Sequence, residues 1–130
     1  MAMTNDLRTL IKTTIDTLKE SYDIKEVSYR IASDEAMYPH ITYDFPSIVP
    51  NDMGREDFVL DIDIWDRDQA RAFNILDALR HLMAFRNDPQ STILPTFYET
   101  SSGQVDDPDK TIIHLVLRLQ SQVYEREGDN

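Results

Sequence analysis

The sequence predicts an α+β fold: an antiparallel or mixed sheet of about five strands with two helices packed on one face. Two segments carry apolar residues at helical spacing, while the rest of the patterned chain alternates apolar and polar residues with period two. The elements follow the order α-β-β-β-α-β-β, without the strand–helix alternation that a parallel sheet needs. A length of 130 residues suits a single domain, here expected over 1–130, with enough chain to bury a core.

The first segment, "TNDLRTLIKTTIDTLKESY", sets Leu7, Leu10, Ile11, Thr14 and Leu18 on one helical face, with Thr4, Asn5 and Asp6 as candidate caps. It predicts a helix from about residue 5 to 20. "EVSYRI" alternates Val27, Tyr29 and Ile31 with Ser28 and Arg30, a short strand. "YPHITYDF" alternates Ile41, Tyr43 and Phe45 with His40, Thr42 and Asp44, and Pro39 places its start at an edge or at the first strand residue. "SIVPNDMGRED", residues 47–57, has two breakers, Pro50 and Gly54, and no periodicity and predicts a flexible loop.

"DFVLDIDIW" alternates most cleanly, with Phe58, Leu60, Ile62 and Ile64 on one face and Val59, Asp61, Asp63 and Trp65 on the other. "DRDQ" reads as a capping box, Asp66 capping and Gln69 three residues on. The helix it opens runs to about Arg86 with Ala72, Ile75, Leu76, Leu79, Leu82 and Met83 inward, and Asn87 and Pro89 stop it. "STILPTFYETS" reads as a strand interrupted at Pro95, "SGQVDDPD" as a turn, and "KTIIHLVLRLQSQVYE" as the longest strand, with Ile113, Leu115, Leu117 and Leu119 inward. The tail, about residues 125–130, is expected to fray.

A net charge of −11 opposes binding to phosphate backbones and anionic lipid, though it suits a protein that DNA passes without adhering. No apolar run is long enough for a membrane span, and the polar start "MAMTND" does not read as a signal peptide. The absence of cysteine removes disulfides, thiolate nucleophiles and Cys-ligated zinc, and fits a reducing cytoplasm.

Asp61 and Asp63 are the residues most suggestive of chemistry, because paired carboxylates can hold a divalent ion. Such a site needs further converging ligands, and Asp66 and Asp68 are better employed at the positive end of a helix. The alternative, a solvated strand face, is the preferred reading. His40, His81 and His114 lie on three different elements without zinc-binding spacing, and three glycines leave no phosphate-cradling loop. "DDPDK" lacks the ligand spacing and terminal glutamate of a calcium loop. The chain is therefore read as a non-enzyme that needs no cofactor and no metal.

The apolar residues on the outer face are harder to place. Val59 and Trp65 stand beside the aspartates, and Ile112 and Val116 alternate with His114, Arg118 and Gln120. Unless the loop 47–57 or a helix folds over them, they read as the centre of a subunit interface with a polar rim.

The order of elements, "YPHITYDF" after the first short strand, "LDIDIWDRD" leading into the second helix and the final "HLVLRLQSQVYE" resemble the tail-terminator, or tail-completion, proteins of long-tailed bacteriophages and prophages. The resemblance spans roughly residues 4–125 and rests on hydrophobic patterning rather than catalytic signatures. It implies a structural virion subunit, assembled in the bacterial host cytoplasm, that forms a homo-oligomeric ring, typically a hexamer. Such a ring sits at the head-proximal end of the tail tube, stops its polymerisation and presents the surface that joins the head. The partners implied are further copies of the chain, the tail tube protein and a head-completion or connector protein, with DNA passing through unbound and no membrane involved. Asp61, Asp63, Asp106, Asp107 and Asp109 are candidates for an acidic pore lining. A head–tail connector, neck or other minor tail protein of the same virion is the alternative; a small metal-dependent enzyme using Asp61 and Asp63 is a third.

Overall fold

In the computed structural model, which describes residues 3–50, 55–84 and 93–125, helices α1 (Met3–Asp16) and α2 (Lys19–Tyr22) precede strands β1 (Glu26–Tyr29), β2 (His40–Pro50) and β3 (Arg55–Asp66). Helix α3 (Gln69–Ala84) and strands β4 (Ile93–Val105) and β5 (Ile113–Glu125) follow. The strands form one five-stranded sheet in the order β1-β2-β3-β5-β4. Only the β1–β2 pair is parallel, so the sheet is mixed and the α+β expectation holds. Among the described residues no helix is long and apolar enough to cross a membrane.

Strand β3 fixes the layering. Phe58, Leu60, Ile62 and Ile64 are buried, while the intervening Val59, Asp61, Asp63 and Trp65 stay partly exposed, as period two demands. Register extends this across the sheet: Ile41, Ile64 and Leu115 form one inward row, and Tyr43, Ile62 and Leu117 the next. Leu7, Leu10, Ile11 and Ile15 of α1 and Ala72, Ile75, Leu76, Leu79 and Met83 of α3 complete the same core. Each fully buried Leu or Ile contributes about 1.5–3 kcal/mol. Both long helices therefore lie on one side, and among the described residues no helix covers the opposite face of the sheet.

The structure departs from the sequence expectations at four places, each for a local reason. The first helix does not run unbroken to residue 20. Thr14 Oγ1 donates to the Leu10 carbonyl, and Thr17 Oγ1 donates to the Thr14 carbonyl at 2.6 Å. Leu18 N–H then turns to the Ile15 carbonyl, α1 ends at Asp16, and α2 adds one turn before Asp23 in the left-handed region.

The segment 47–57 is not a loop. β2 continues to Pro50 and β3 begins at Arg55, so only the tip 51–54 lies outside the described residues. A β-bulge between Asp44 and Ser47 hides the period-two pattern there, and β1 pairs with β2 only as far as Tyr43, which leaves the outer edge of residues 44–50 free to accept Pro46 and Pro50.

β4 passes straight through Pro95, which is opposite Val123. An edge strand tolerates a residue without an N–H, and residues 102–105, expected in a turn, belong to the strand. Asn87 and Pro89, the expected helix stop, and the tail from 126 onward lie outside the described residues.

Asp68, not Asp66, caps α3: its side chain accepts the Arg71 N–H and its carbonyl accepts the Ala72 N–H. Asp66 is fully buried and holds the corner instead. Its carboxylate accepts Arg71 Nε and Nη2, both at 2.7 Å, and the backbone N–H groups of Arg67 and Asp68. Burial alone would raise the pKa of this carboxyl, but the guanidinium and the two amides outweigh it and hold it below the ordinary range.

Candidate functional site

The face of the sheet opposite the helices is built from outward rows that register makes explicit. At one end, Glu26, His40, Trp65, His114 and Val105 lie side by side across all five strands. Ser28, Thr42, Asp63, Val116 and Gly103 form the next row, and Asp44, Asp61, Arg118 and Ser101 the one after. Beyond the bulges come Ser47, Val59, Gln120 and Tyr98.

The first row is an aromatic ribbon. The Trp65 indole is sandwiched between the His114 ring, 4.3 Å away at 16°, and the His40 ring, 5.1 Å away at 25°. Tyr38 continues the stack beyond His40, and the Arg67 guanidinium lies 4.8 Å from the Tyr38 ring centre. His40 Nδ1 faces the Met37 carbonyl at 3.2 Å and His114 Nε2 faces Asp63 Oδ1 at 2.8 Å; both partners only accept, so these nitrogens carry protons.

Along the middle of the face, the β3 carboxylates find hydrogen-bonding partners in the same chain. Arg118 Nε and Nη2 grip both oxygens of Asp61 at 2.7 and 2.8 Å, Arg55 holds Asp57 with two bonds, and His114 holds Asp63. Asp61 and Asp63 are thus not a bare pair. Among the described residues no three His, Cys, Asp or Glu side chains are placed to share a metal ion.

The expected interface residues are partly brought together. Val59, Trp65 and Val116 share the open face and are half-buried. Trp65 is shielded on both sides by rings of its own chain rather than standing bare. Ile112 is not part of β5: it sits half-buried in the preceding turn, where its N–H donates to the Asp109 carbonyl. Sequence reasoning passed over Tyr98, 52% exposed, and Val49, 54% exposed, both on this face. Continuing the alternation through Pro95 and the bulges would have found them.

Asp106, Asp107 and Asp109 occupy the β4–β5 turn at the Trp65 end of the sheet. Asp107 accepts the Asp109 N–H, and Asp109 accepts the Thr111 hydroxyl and N–H, which together hold its carboxyl below the usual range. Arg67 Nη1 donates to Thr111 Oγ1 at 2.6 Å and ties this turn to the β3–α3 corner.

With the open face and its acidic turn located, the fold can be compared with known structures. This is a fold found in virions. A chain from the virion of the native gene transfer agent particle superposes with a TM-score of 0.67 at 9% identity, covering 95% of this chain and 98% of that one. The gp17 protein of bacteriophage SPP1 superposes with a TM-score of 0.55 at 19% identity, covering 93% of each chain. Comparison with protein-family models and with curated protein sequences gives no match.

Proposed function

We propose that the protein is a structural subunit of a phage-type virion that forms a ring at the head-proximal end of the tail tube, ends its polymerisation and offers the surface to which the head is joined. The observation that carries this reading is the end-to-end likeness in fold to a chain of a gene transfer agent virion and to a bacteriophage protein. Coverage near complete on both sides supports it, because the likeness runs along nearly the whole length of the chains compared. The paired state of Asp61 and Asp63 supports the same reading by engaging both carboxylates within the chain, away from metal chemistry.

The charge suits the position. A ring of subunits each carrying −11 repels phosphates and lets a duplex pass without sticking. Asp106, Asp107 and Asp109 supply the charge of the proposed pore lining, whereas Asp61 and Asp63 are engaged by Arg118 and His114 on the open face.

The test is a particle assembled without this protein. Tails that overrun their normal length and heads that stay unjoined, both reversed by the wild-type chain, are the expected result. Tails of normal length that still lack heads would replace the terminator role with that of a neck or connector component. Complete infectious particles would remove the virion role altogether.

A further inference from the structure

We infer that the β3–β5–β4 strip of the open face is a seat for a second copy of this chain, docked face-on and not by extension of the sheet from its edges. This rests on the ring reading and names the surface on which it would be built. Electrostatics single out this strip as the place where a like copy is opposed least. Two molecules of charge −11 repel wherever their carboxylates meet, so contact is cheapest where those carboxylates already have partners. Asp57, Asp61 and Asp63, which share the outward side of β3 with Val59, are held by Arg55, Arg118 and His114. A basic partner would gain most from carboxylates without an internal partner; this strip offers few.

The strip is also shaped and apolar enough for contact. Tyr98 and Tyr124 are 52% and 41% exposed, and Val59 and Val116 lie between them and Trp65 on the same side. Gly103, opposite Val116, has nothing within 4 Å of where a Cβ would stand, so Val116 is approachable from above β4.

The edges, by contrast, are protected. The edge strand β1 is only 4 residues long, and the outer edge of β2 beyond it carries Pro46 and Pro50 and a bulge at Asp44–Ser47. The β4 edge carries Pro95 and a second bulge at Glu99–Ser101. Missing donors and local twist are how natural sheets prevent edge-to-edge pairing.

Sedimentation of the full chain, free and with tail tubes lacking the protein, tests this with Val59→Arg and Tyr98→Arg, separately and combined, each checked for native circular dichroism. The double variant is expected to weaken self-association at least tenfold. Wild-type association is expected to tighten as salt rises from about 0.05 to about 0.5 M, because screening relieves like-charge repulsion. Hydrogen exchange is expected to show no added amide protection along 44–50 or β4. Undiminished assembly of the folded double variant would overturn the inference and leave the ring reading standing. So would new protection of the edge amides, or association that weakens with salt. A wild type that stays monomeric both free and on tubes would defeat the ring reading and the inference together.

Discussion

Trp65 lies against His114 with ring centres 4.3 Å apart and planes 16° from parallel, while the same imidazole donates to Asp63, two residues earlier on β3. One side chain thus fixes both the indole and the carboxylate beside it. The pairing joins β3 to β5 at the end of the open face where the acidic turn begins.

His114→Ala is expected to unwall the indole and leave Asp63 without its partner. Loss of the stack and of the charged hydrogen bond should cost about 1–2 kcal/mol in denaturant unfolding. Trp65 is the sole tryptophan, so its emission should shift to the red and its quenching by acrylamide should rise. An unchanged emission maximum would mean that the stack does not shield the ring.

Asp66 and Asp68 are two residues apart and should behave differently. Asp66→Ala strands the Arg71 guanidinium and two backbone N–H groups at a buried corner, a loss of about 3 kcal/mol. Asp68→Ala removes only the α3 cap, about 1 kcal/mol. Equal losses measured by urea unfolding would contradict this division of labour.

Glu26 predicts an acid-sensitive step. Bonds from the Ser33 hydroxyl, the Ser28 hydroxyl and the Ser33 N–H lower its pKa to about 2 from 4.5. A depressed folded pKa contributes stability that is full above the unfolded value and fades as pH falls through the folded one. The stability gap between wild type and Glu26→Gln should therefore be constant at neutral pH and close between about 4.5 and about 2. A gap that persists below that window would assign the effect to shape rather than charge.

The two faces of β3 should respond unequally to truncation. Ile62→Ala opens a cavity in the core and should cost about 3 kcal/mol. Val59→Ala, on the open face, should cost under about 1 kcal/mol in the isolated chain. Comparable losses would mean that the open face is packed as firmly as the core.

The sequence by itself determined the layers. Strict alternation from Phe58 to Trp65 sorts β3 into a core side and an outer side, and the 3.6-residue repeats of α1 and α3 supply the matching apolar stripes. These patterns are local, so they are legible without a structure. What only the tertiary structure decided is which residues meet. Asp61 and Arg118 are 57 positions apart and Asp63 and His114 are 51, and no spacing rule links them. His40 and His114 sit on separate strands, yet register brings both to the same indole. Strand order and bulges also turned a proline-bearing loop into the β2–β3 hairpin and carried β4 through Pro95, because an edge needs no N–H on its solvent side. Periodicity assigns each side chain to a face; only the pairing of distant strands decides which charges cancel there.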